Sequence, residues 1–297
     1  MPKVSVIIPT HNCAHYLGNA IASVLRQTFT DYEIIVVDDG STDNTYEVVE
    51  RFSAQFPFRI RYIYQSHQER SVARNRGIQA ASGEYIAFLD ADDEWLPHKL
   101  ALQVPILDER PEVGLVHSKV VFMDKDGREI GPPSPREAPN GFVLKELLCG
   151  NFVWCLTVLC RRRCFDECGW FDTATIPAED WDMWVRIAAR YALHHIPEVL
   201  ARYRFTPDPE GARDLRHYRA DLRVVEKNAS LLPPRERAVV YFVWGRKAKM
   251  RRDFKTARRL LAKSLVLDPT NWRALNLLLR CYVSRQVFLA TLERQRL

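Results

Sequence analysis

The sequence predicts an α/β protein, a mainly parallel sheet flanked by helices and followed by an all-α region. Three observations carry this. Over the first hundred residues, apolar strand-like runs alternate with helix-spaced segments, the signature of right-handed βαβ units. The runs at Tyr32–Val37 (YEIIVV) and Tyr85–Leu89 (YIAFL) are nearly continuous, as strands covered on both faces should be. From Asp214 onward the pattern is helical.

Taken in order, Val4–Ile8 is an apolar run ending at Pro9. Leu17, Ile21, Val24 and Leu25 share one face of a helix over Tyr16–Leu25. The second strand, Tyr32–Val37, runs into Asp38-Asp39-Gly40, and Ser41-Thr42-Asp43 supply capping side chains for a helix over Asn44–Phe52. Ile60–Tyr64 is a third strand, Ser71–Ala81 a short helix stopped by Ser82-Gly83, and Tyr85–Leu89 the fourth strand. Beyond Trp95 the pattern loosens. It predicts a helix over Lys99–Asp108, a strand over Gly114–Met123, a hairpin turn at Asp124–Gly127 and a Pro-rich loop over Gly131–Asn140. A strand over Val153–Leu159 and a helix over Glu179–Tyr191 follow. The expected division is residues 1–210 and 211–297.

At 297 residues, 47% hydrophobic and 27% charged, the composition is that of a globular chain. No apolar run approaches the roughly 18 residues that span a bilayer. Met1–Pro9 carries neither a basic leader nor a small-residue cleavage site, so a cytoplasmic protein is expected. Seven cysteines is an odd count, which points to reduced thiols. Cys160, Cys164 and Cys168 would share one helix face, but without a C-x2-C pair they read as buried packing, not a zinc site. The net charge of +6 hides a split: Met1–Glu210 holds 22 Lys+Arg against 30 Asp+Glu, and Gly211–Leu297 holds 21 against 7.

Chemistry concentrates where strands end. Tyr85–Leu89 runs into Asp90, Asp92 and Asp93. Ligands of open α/β sheets bind beyond the carboxyl ends of the strands. Crowded carboxylates there suit a Mg²⁺ or Mn²⁺ ion shared with substrate phosphates, or else form a solvated acidic loop. Asp38-Asp39 ends a second strand on the same edge, where a carboxylate can accept from a base N–H or ribose hydroxyls; a capped turn is the other reading. Arg74 offers a planar fork for phosphate, or is a surface arginine. Ala178-Glu179-Asp180-Trp181-Asp182 places acids at a helix N-terminus, which the helix dipole favours, and one of them could serve as general base.

Five motifs then occur in order: VSVIIPTHN (Val4–Asn12), IIVVDDGSTD (Ile34–Asp43), ARNRG (Ala73–Gly77), IAFLDADD (Ile86–Asp93) and EDWDMWVR (Glu179–Arg186). Together they resemble the family 2 inverting glycosyltransferases of the GT-A, Rossmann-like fold, over about Lys3–Tyr203. The resemblance implies a nucleotide-sugar donor, most often a UDP-sugar, and Mn²⁺ or Mg²⁺. It places Pro9, His11 and Asp39 at the base and ribose, with Asp38 nearby and Asn12 and Ala91 in the same nucleotide-sugar site. Arg74 lies by the pyrophosphate, Asp90 and Asp92 hold the metal, and Asp180 is the catalytic base. Glu179 and Trp181 belong to the acceptor site. Two features depart from the family pattern. His11 stands where an aromatic is common, and no His follows Tyr203-Arg204, so either Arg204 or a residue of the tail substitutes or metal affinity is lower. The chain lacks Q-x-x-R-W and membrane helices, which favours transfer of a single sugar in cell-surface polysaccharide or glycolipid synthesis.

Trp244-Gly245, Ala257, Leu260–Leu267, Asp268–Asn271 and Ala274 resemble one tetratricopeptide unit. A single unit is expected to pack on the catalytic domain rather than form a free peptide-binding array. The basic cluster from Arg246 to Arg259, and Val283–Leu297 with Val287, Phe288, Leu289 and Leu292, suit an anionic membrane surface carrying a lipid-linked acceptor. No nucleic-acid module accompanies the charge, so nucleic acid is not expected. The alternatives are a nucleotidyltransferase, which should show an N-terminal Gly-rich phosphate loop, and a non-catalytic sugar-nucleotide-binding or scaffold protein.

Overall fold

A computed structural model of the chain describes residues 1–134, 137–205 and 212–282. Strands β1 (Val4–Thr10), β2 (Tyr32–Asp39), β3 (Ile60–Gln65) and β4 (Tyr85–Phe88) alternate with helices α1 (Ala14–Leu25), α2 (Thr45–Gln55) and α3 (Arg70–Ala80). These match the elements expected from the sequence to within a few residues. β5 (Glu94–Trp95), α4 (Lys99–Glu109) and β6 (Val113–Met123) follow. Next come α5 (Leu144–Cys149), β7 (Leu159–Arg161), α6 (Arg163–Cys168), α7 (Glu179–Ala188) and β8 (Ala192–Arg204). Helices α8 (Ala212–Asn228), α9 (Pro234–Met250) and α10 (Phe254–Leu267) complete the named elements.

The strands form one sheet in the order β3-β2-β1-β4-β7-β6-β8-β5. β1 to β4 are mutually parallel, β6 pairs parallel with β8, and β7 and β5 run against their neighbours. Every residue of β1 is buried, because helices cover both faces. α3 settles onto β1 only because residue 77 is Gly: a Cβ there would meet Ile7 Cγ2 at 2.4 Å. In the parallel register Thr10 pairs with Asp38 and Asp39 with Gln65, so the strand ends share one edge.

Three expectations change. Of the predicted Val153–Leu159 strand only Leu159 lies in one, at the start of β7 (Leu159–Arg161). Cys155–Thr157 forms a 3₁₀ turn instead, and the N–H and hydroxyl of Thr157 both donate to the Trp154 carbonyl. The helix expected to reach Tyr191 ends at Ala188, and the unpredicted β8 begins at Ala192. Its pairing with Ser118 and Lys119 of β6 steps from Ile196 to Val199, so Pro197 and Glu198 stand out of register and break the alternation that marks a strand. Cys160 sits on β7, and only Cys164 and Cys168 share α6.

The chain divides into two compact units, Met1–Val143 with Phe152–Ala220, and Leu144–Asn151 with the residues from Asp221 onward. In the second, α9 and α10 pack closely: a Cβ at Gly245 would meet Leu261 Cγ at 2.7 Å, and Ser264 Oγ donates to the Ala238 carbonyl at 2.8 Å. Trp244 Nε1 donates to the Leu148 carbonyl at 2.8 Å, fastening α9 to α5. Residues 272–282 form a further helix that buries Ala274 and Cys281. Val283–Leu297 lies outside the described residues. Among the described residues no helix is long and apolar enough to cross a membrane.

Candidate functional site

The ends of β1, β2 and β4 open into a cleft of about 350 Å³. β1 lies between the other two, so the acidic ends of β2 and β4 flank it on opposite sides. Pro9, His11, Asp39, Asp90, Ala91 and Asp92, all expected site residues, line this cleft.

At the β2 end the carboxylates face inward. Asp38 accepts from Ser41 N at 2.8 Å and Tyr62 OH at 2.6 Å, so it closes the turn after β2. Asp39 is fuller still. Its Oδ1 accepts from Gln65 Nε2 (2.6 Å) and Gln68 N (2.9 Å), and its Oδ2 from Glu69 N (2.9 Å), while His67 Nδ1 lies 2.9 Å from Oδ2 and 3.1 Å from the Asp39 carbonyl. His11 Nδ1 donates to the Asp39 carbonyl at 2.8 Å, which leaves Nε2 as the acceptor for Asn12 Nδ2 at 3.2 Å. The Asn12 oxygen in turn accepts from Thr42 N, joining the loops after β1 and β2. The His11 and His67 rings stack with centroids 4.2 Å apart and planes at 25°. Gly40 permits this: its φ is +80°, and a Cβ would meet His67 N at 2.7 Å. Glu69, at the start of α3, holds a φ of 85° and ψ of 154°, a strained conformation for a side-chain-bearing residue bordering the cleft.

At the β4 end Asp90 and Asp92 border the cleft, and Asp90 keeps 32% of its side chain exposed. Asp93, the third acid of this run, is held differently. It is buried, and its Oδ1 accepts from Arg204 N at 2.7 Å, which ties β4 to the end of β8. Burial, then Asp92 and Asp90, pushes its carboxyl well above the usual range, and its Oδ2 has no hydrogen-bond partner among the described residues. Arg204 donates to the carbonyls of Asp92 (2.8 Å), Asp124 (2.7 Å) and Lys125 (3.0 Å). It is thus engaged in holding loops and does not stand in for a metal- or phosphate-binding histidine. Residues 206–211 lie outside the described residues. Among the described residues no three His, Cys, Asp or Glu side chains form a preformed metal centre. The crowded acids nonetheless fit a divalent ion of the kind held by one or two carboxylates together with substrate phosphates.

Arg74 joins this end to α7. It is buried and donates through one nitrogen to Asp90 Oδ1 at 2.7 Å and through another to Glu179 Oε1 at 2.8 Å. It is therefore a clamp between carboxylates rather than an open fork for pyrophosphate. The exposed cation here is Arg70, one helical turn earlier, whose side chain is 44% exposed and pairs with Glu179 at 2.6 Å. Asp180 is partly buried, and its Oδ1 accepts from Trp181 N at 2.7 Å. Burial, then the charge of Glu179, pushes its carboxyl up to about 7 against the pull of Arg74. Trp181, expected in the acceptor site, is only 2% exposed and belongs to the interior. Cys13 also lines the cleft. Burial and then Asp92 and Asp43 push its thiol up to about 12, which keeps it protonated and a poor nucleophile.

Sequence reasoning missed His67, Glu69 and Arg70. The signal lay in the third strand, whose C-terminal end meets the same sheet edge, and in the four-residue spacing of Arg70 and Arg74.

Residues 5–161 match the family described as Glycosyl transferase family 2. The chain is 50% identical over 115 residues to an uncharacterized glycosyltransferase of Nostoc sp., covering 39% of this chain and 36% of that protein. It thus spans little more than a third of that relative's length. It is 31% identical over 206 residues to the putative teichuronic acid biosynthesis glycosyltransferase TuaG of Bacillus subtilis, covering 68% of this chain and 79% of TuaG. It is 32% identical over 188 residues to WfgD of Escherichia coli, a UDP-Glc:alpha-D-GlcNAc-diphosphoundecaprenol beta-1,3-glucosyltransferase, covering 62% and 69%. Among solved structures, S. aureus TarS 1–349 in complex with UDP superposes with a TM-score of 0.64 at 19% identity over 90% of this chain and 81% of TarS 1–349. Mannosyltransferase PcManGT of Pyrobaculum calidifontis, with GDP-Man and Mn²⁺, superposes with a TM-score of 0.59 at 20% identity over 96% and 86%. These two likenesses establish the GT-A-like fold.

Proposed function

The chain belongs to glycosyl transferase family 2, and we propose that it transfers a single sugar from a nucleotide-sugar, UDP-linked, to an acceptor hydroxyl with inversion. The observation that carries this reading is the Asp90–Arg74–Glu179 chain of ion pairs, which joins a carboxylate lining the cleft to the start of α7, the helix that carries Asp180. The UDP bound to TarS and the UDP-Glc in the name of WfgD support the donor class. The diphosphoundecaprenol in the name of WfgD and the teichuronic acid in that of TuaG support a lipid-linked acceptor in cell-surface polymer synthesis.

Each residue then has a task. Asp180, with its carboxyl near 7, takes the proton of the attacking hydroxyl; a base poised near the working pH is the effective one. Its site favours the neutral form through burial, so proton uptake is facile, while Arg74 and the Trp181 N–H keep the charged form accessible. Arg74 fixes the distance between Asp90 and Glu179 and thereby orients α7 against β4. Arg70, at the first turn of α3, offers an exposed guanidinium to the donor diphosphate beside a helix N-terminus. Asp90 and Asp92 would hold Mn²⁺ or Mg²⁺, which when bound offsets the charge that builds on the leaving diphosphate. Cys13 stays a neutral thiol, consistent with one displacement and no covalent sugar–enzyme intermediate.

The helical C-terminal region serves as a docking surface for an anionic membrane. Its basic residues are joined by Trp272, Leu275, Leu279 and Tyr282, which stand exposed on the helix over residues 272–282. Cosedimentation with anionic vesicles at low salt tests this; equal recovery with neutral and anionic vesicles would count against it.

The test of the main reading is a panel of nucleotide-sugars assayed for nucleoside-diphosphate release with Mn²⁺ or Mg²⁺. Turnover of at least one donor that stops on chelation is expected. No turnover and no binding of any donor would remove the reading.

A further inference from the structure

We propose that Phe122, Trp154 and Tyr203 form an aromatic platform that binds the acceptor by stacking under one of its pyranose rings, so that the attacking hydroxyl belongs to a ring sugar. This deepens the sugar-transfer reading and rests on it. Strand direction sets where the platform lies. β7 runs against both β4 and β6, so β6 and its parallel neighbour β8 end at the same sheet edge as β4. Along that edge β2 and β1 lie on one side of β4, and β6 and β8 on the other. A donor reaching from the β2 end to the acids after β4 therefore leaves the β6–β8 side for the acceptor.

Phe122 and Tyr203 are register partners near the ends of β6 and β8, so their side chains leave the same face. Trp154 packs against both, its ring centroid 5.7 Å from that of Phe122 and 5.3 Å from that of Tyr203, and the Phe122 and Tyr203 centroids are 6.0 Å apart. Tyr203 also lines the cleft. The next residue fixes its position: Arg204 N donates to Asp93 Oδ1 at 2.7 Å, and Arg204 Nε donates to the Asp92 carbonyl at 2.8 Å. The platform thus begins at the loop that carries Asp90 and Asp92. Its Trp154 end adjoins the proposed base. Cys155, the next residue, is buried; burial pushes its thiol well above the usual range, and the charges of Arg74, Asp90, Asp180 and Glu179 act on it in turn.

All three rings stay partly exposed, whereas Val120, Met123 and Ala201 of the same strands are buried. A diphosphate gains nothing from an aromatic face, whose π cloud is negative. A pyranose does gain. Its axial C–H bonds form an apolar, weakly positive face that lies flat on an aromatic ring, while its hydroxyls point outward from the rim. Small-molecule sites pair aromatic walls with a few polar groups that fix orientation, and here the acids beside Tyr203 supply them. An acyclic polyol has no such face to stack.

The full chain, saturated with UDP and Mg²⁺, is probed by saturation-transfer difference NMR with methyl β-D-glucopyranoside, methyl N-acetyl-α-D-glucosaminide and methyl β-D-galactopyranoside, and with ribitol as the acyclic control. The expected result is binding of at least one glycoside, with transfer strongest to the C–H protons of one ring face, and none of ribitol. Trp154→Leu keeps apolar bulk without a ring face and should weaken that glycoside about tenfold. Trp154→Tyr restores a ring face and should bind it within about threefold of wild type, so an effect of Trp154→Leu on folding leaves the test standing. UDP affinity, measured by calorimetry, should stay within about threefold of wild type in both variants. Three results would overturn the proposal: a wild type that binds UDP but no glycoside, ribitol bound as well as the glycosides, or Trp154→Leu binding the glycoside as wild type does. Failure of the wild type to bind UDP or any other nucleoside diphosphate would instead remove the nucleotide-sugar reading itself.

Discussion

Asp180 is the side chain on which the proposed chemistry turns. A base must be ionised to accept a proton, so the rate should rise with pH through about 7 and level above it. Asp180→Asn should lower kcat by about 10²–10⁴. Stability moves the other way. The folded carboxyl titrates near 7, above its unfolded value of about 3.9, so it favours the folded state below about pH 4 and loses that contribution as pH rises to about 7. Asp180→Asn should therefore melt no lower than wild type at pH 8, which thermal denaturation checks, and its lost rate would then not reflect unfolding. The two arginines of α3 should separate in the same way. Arg74→Met leaves buried Glu179 with one fewer partner and should cost about 3–5 kcal/mol in denaturant unfolding. Arg70→Ala, at an exposed pair, should cost about 0–1 kcal/mol but weaken donor binding. Asp90, Asp92 and Asp180 were legible in the sequence, because acids abutting a buried strand or opening a helix need a reason. The partnerships of Asp38, Asp39 and Arg74 were not legible, since they depend on Tyr62, His67 and Glu179, which only folding brings near.

At the level of elements, the strands covered on both faces could be read directly, because continuous apolar runs have few other uses. β8 could not. Its His194-His195 pair, Pro197 and Glu198 obscure any period of two, and the step in register beside β6 absorbs them. The Val153–Leu159 run misled for a related reason: apolar composition reports burial, and here the buried backbone is bonded locally in a 3₁₀ turn. The turn after β2 gives a prediction of its own. Gly40→Ala adds a Cβ at a φ of +80° and against His67 N, so a loss of roughly 1–3 kcal/mol is expected in denaturant unfolding, with weaker nucleotide binding from the displaced His67. Gly77→Ala meets Ile7 on β1 and should cost a similar roughly 1–3 kcal/mol. It should also disturb Arg70 and Arg74 together, since α3 carries both.

Across the whole molecule, charge is unevenly divided. The acidic first 210 residues carry the cleft, to which we assign a metal and a base, and the basic remainder is the part proposed to meet an anionic surface. The central claim is that the cleft transfers sugar from a nucleotide-sugar by one displacement at the anomeric carbon. Proton NMR of the sugar first released to water from an α-linked UDP-sugar, with Mn²⁺-free Mg²⁺ buffer, tests it most directly. The account predicts the β-anomer, formed before mutarotation, at a rate that falls at least about 100-fold in Asp180→Asn. Release of the α-anomer, or an Asp180→Asn variant as fast as wild type, would contradict it.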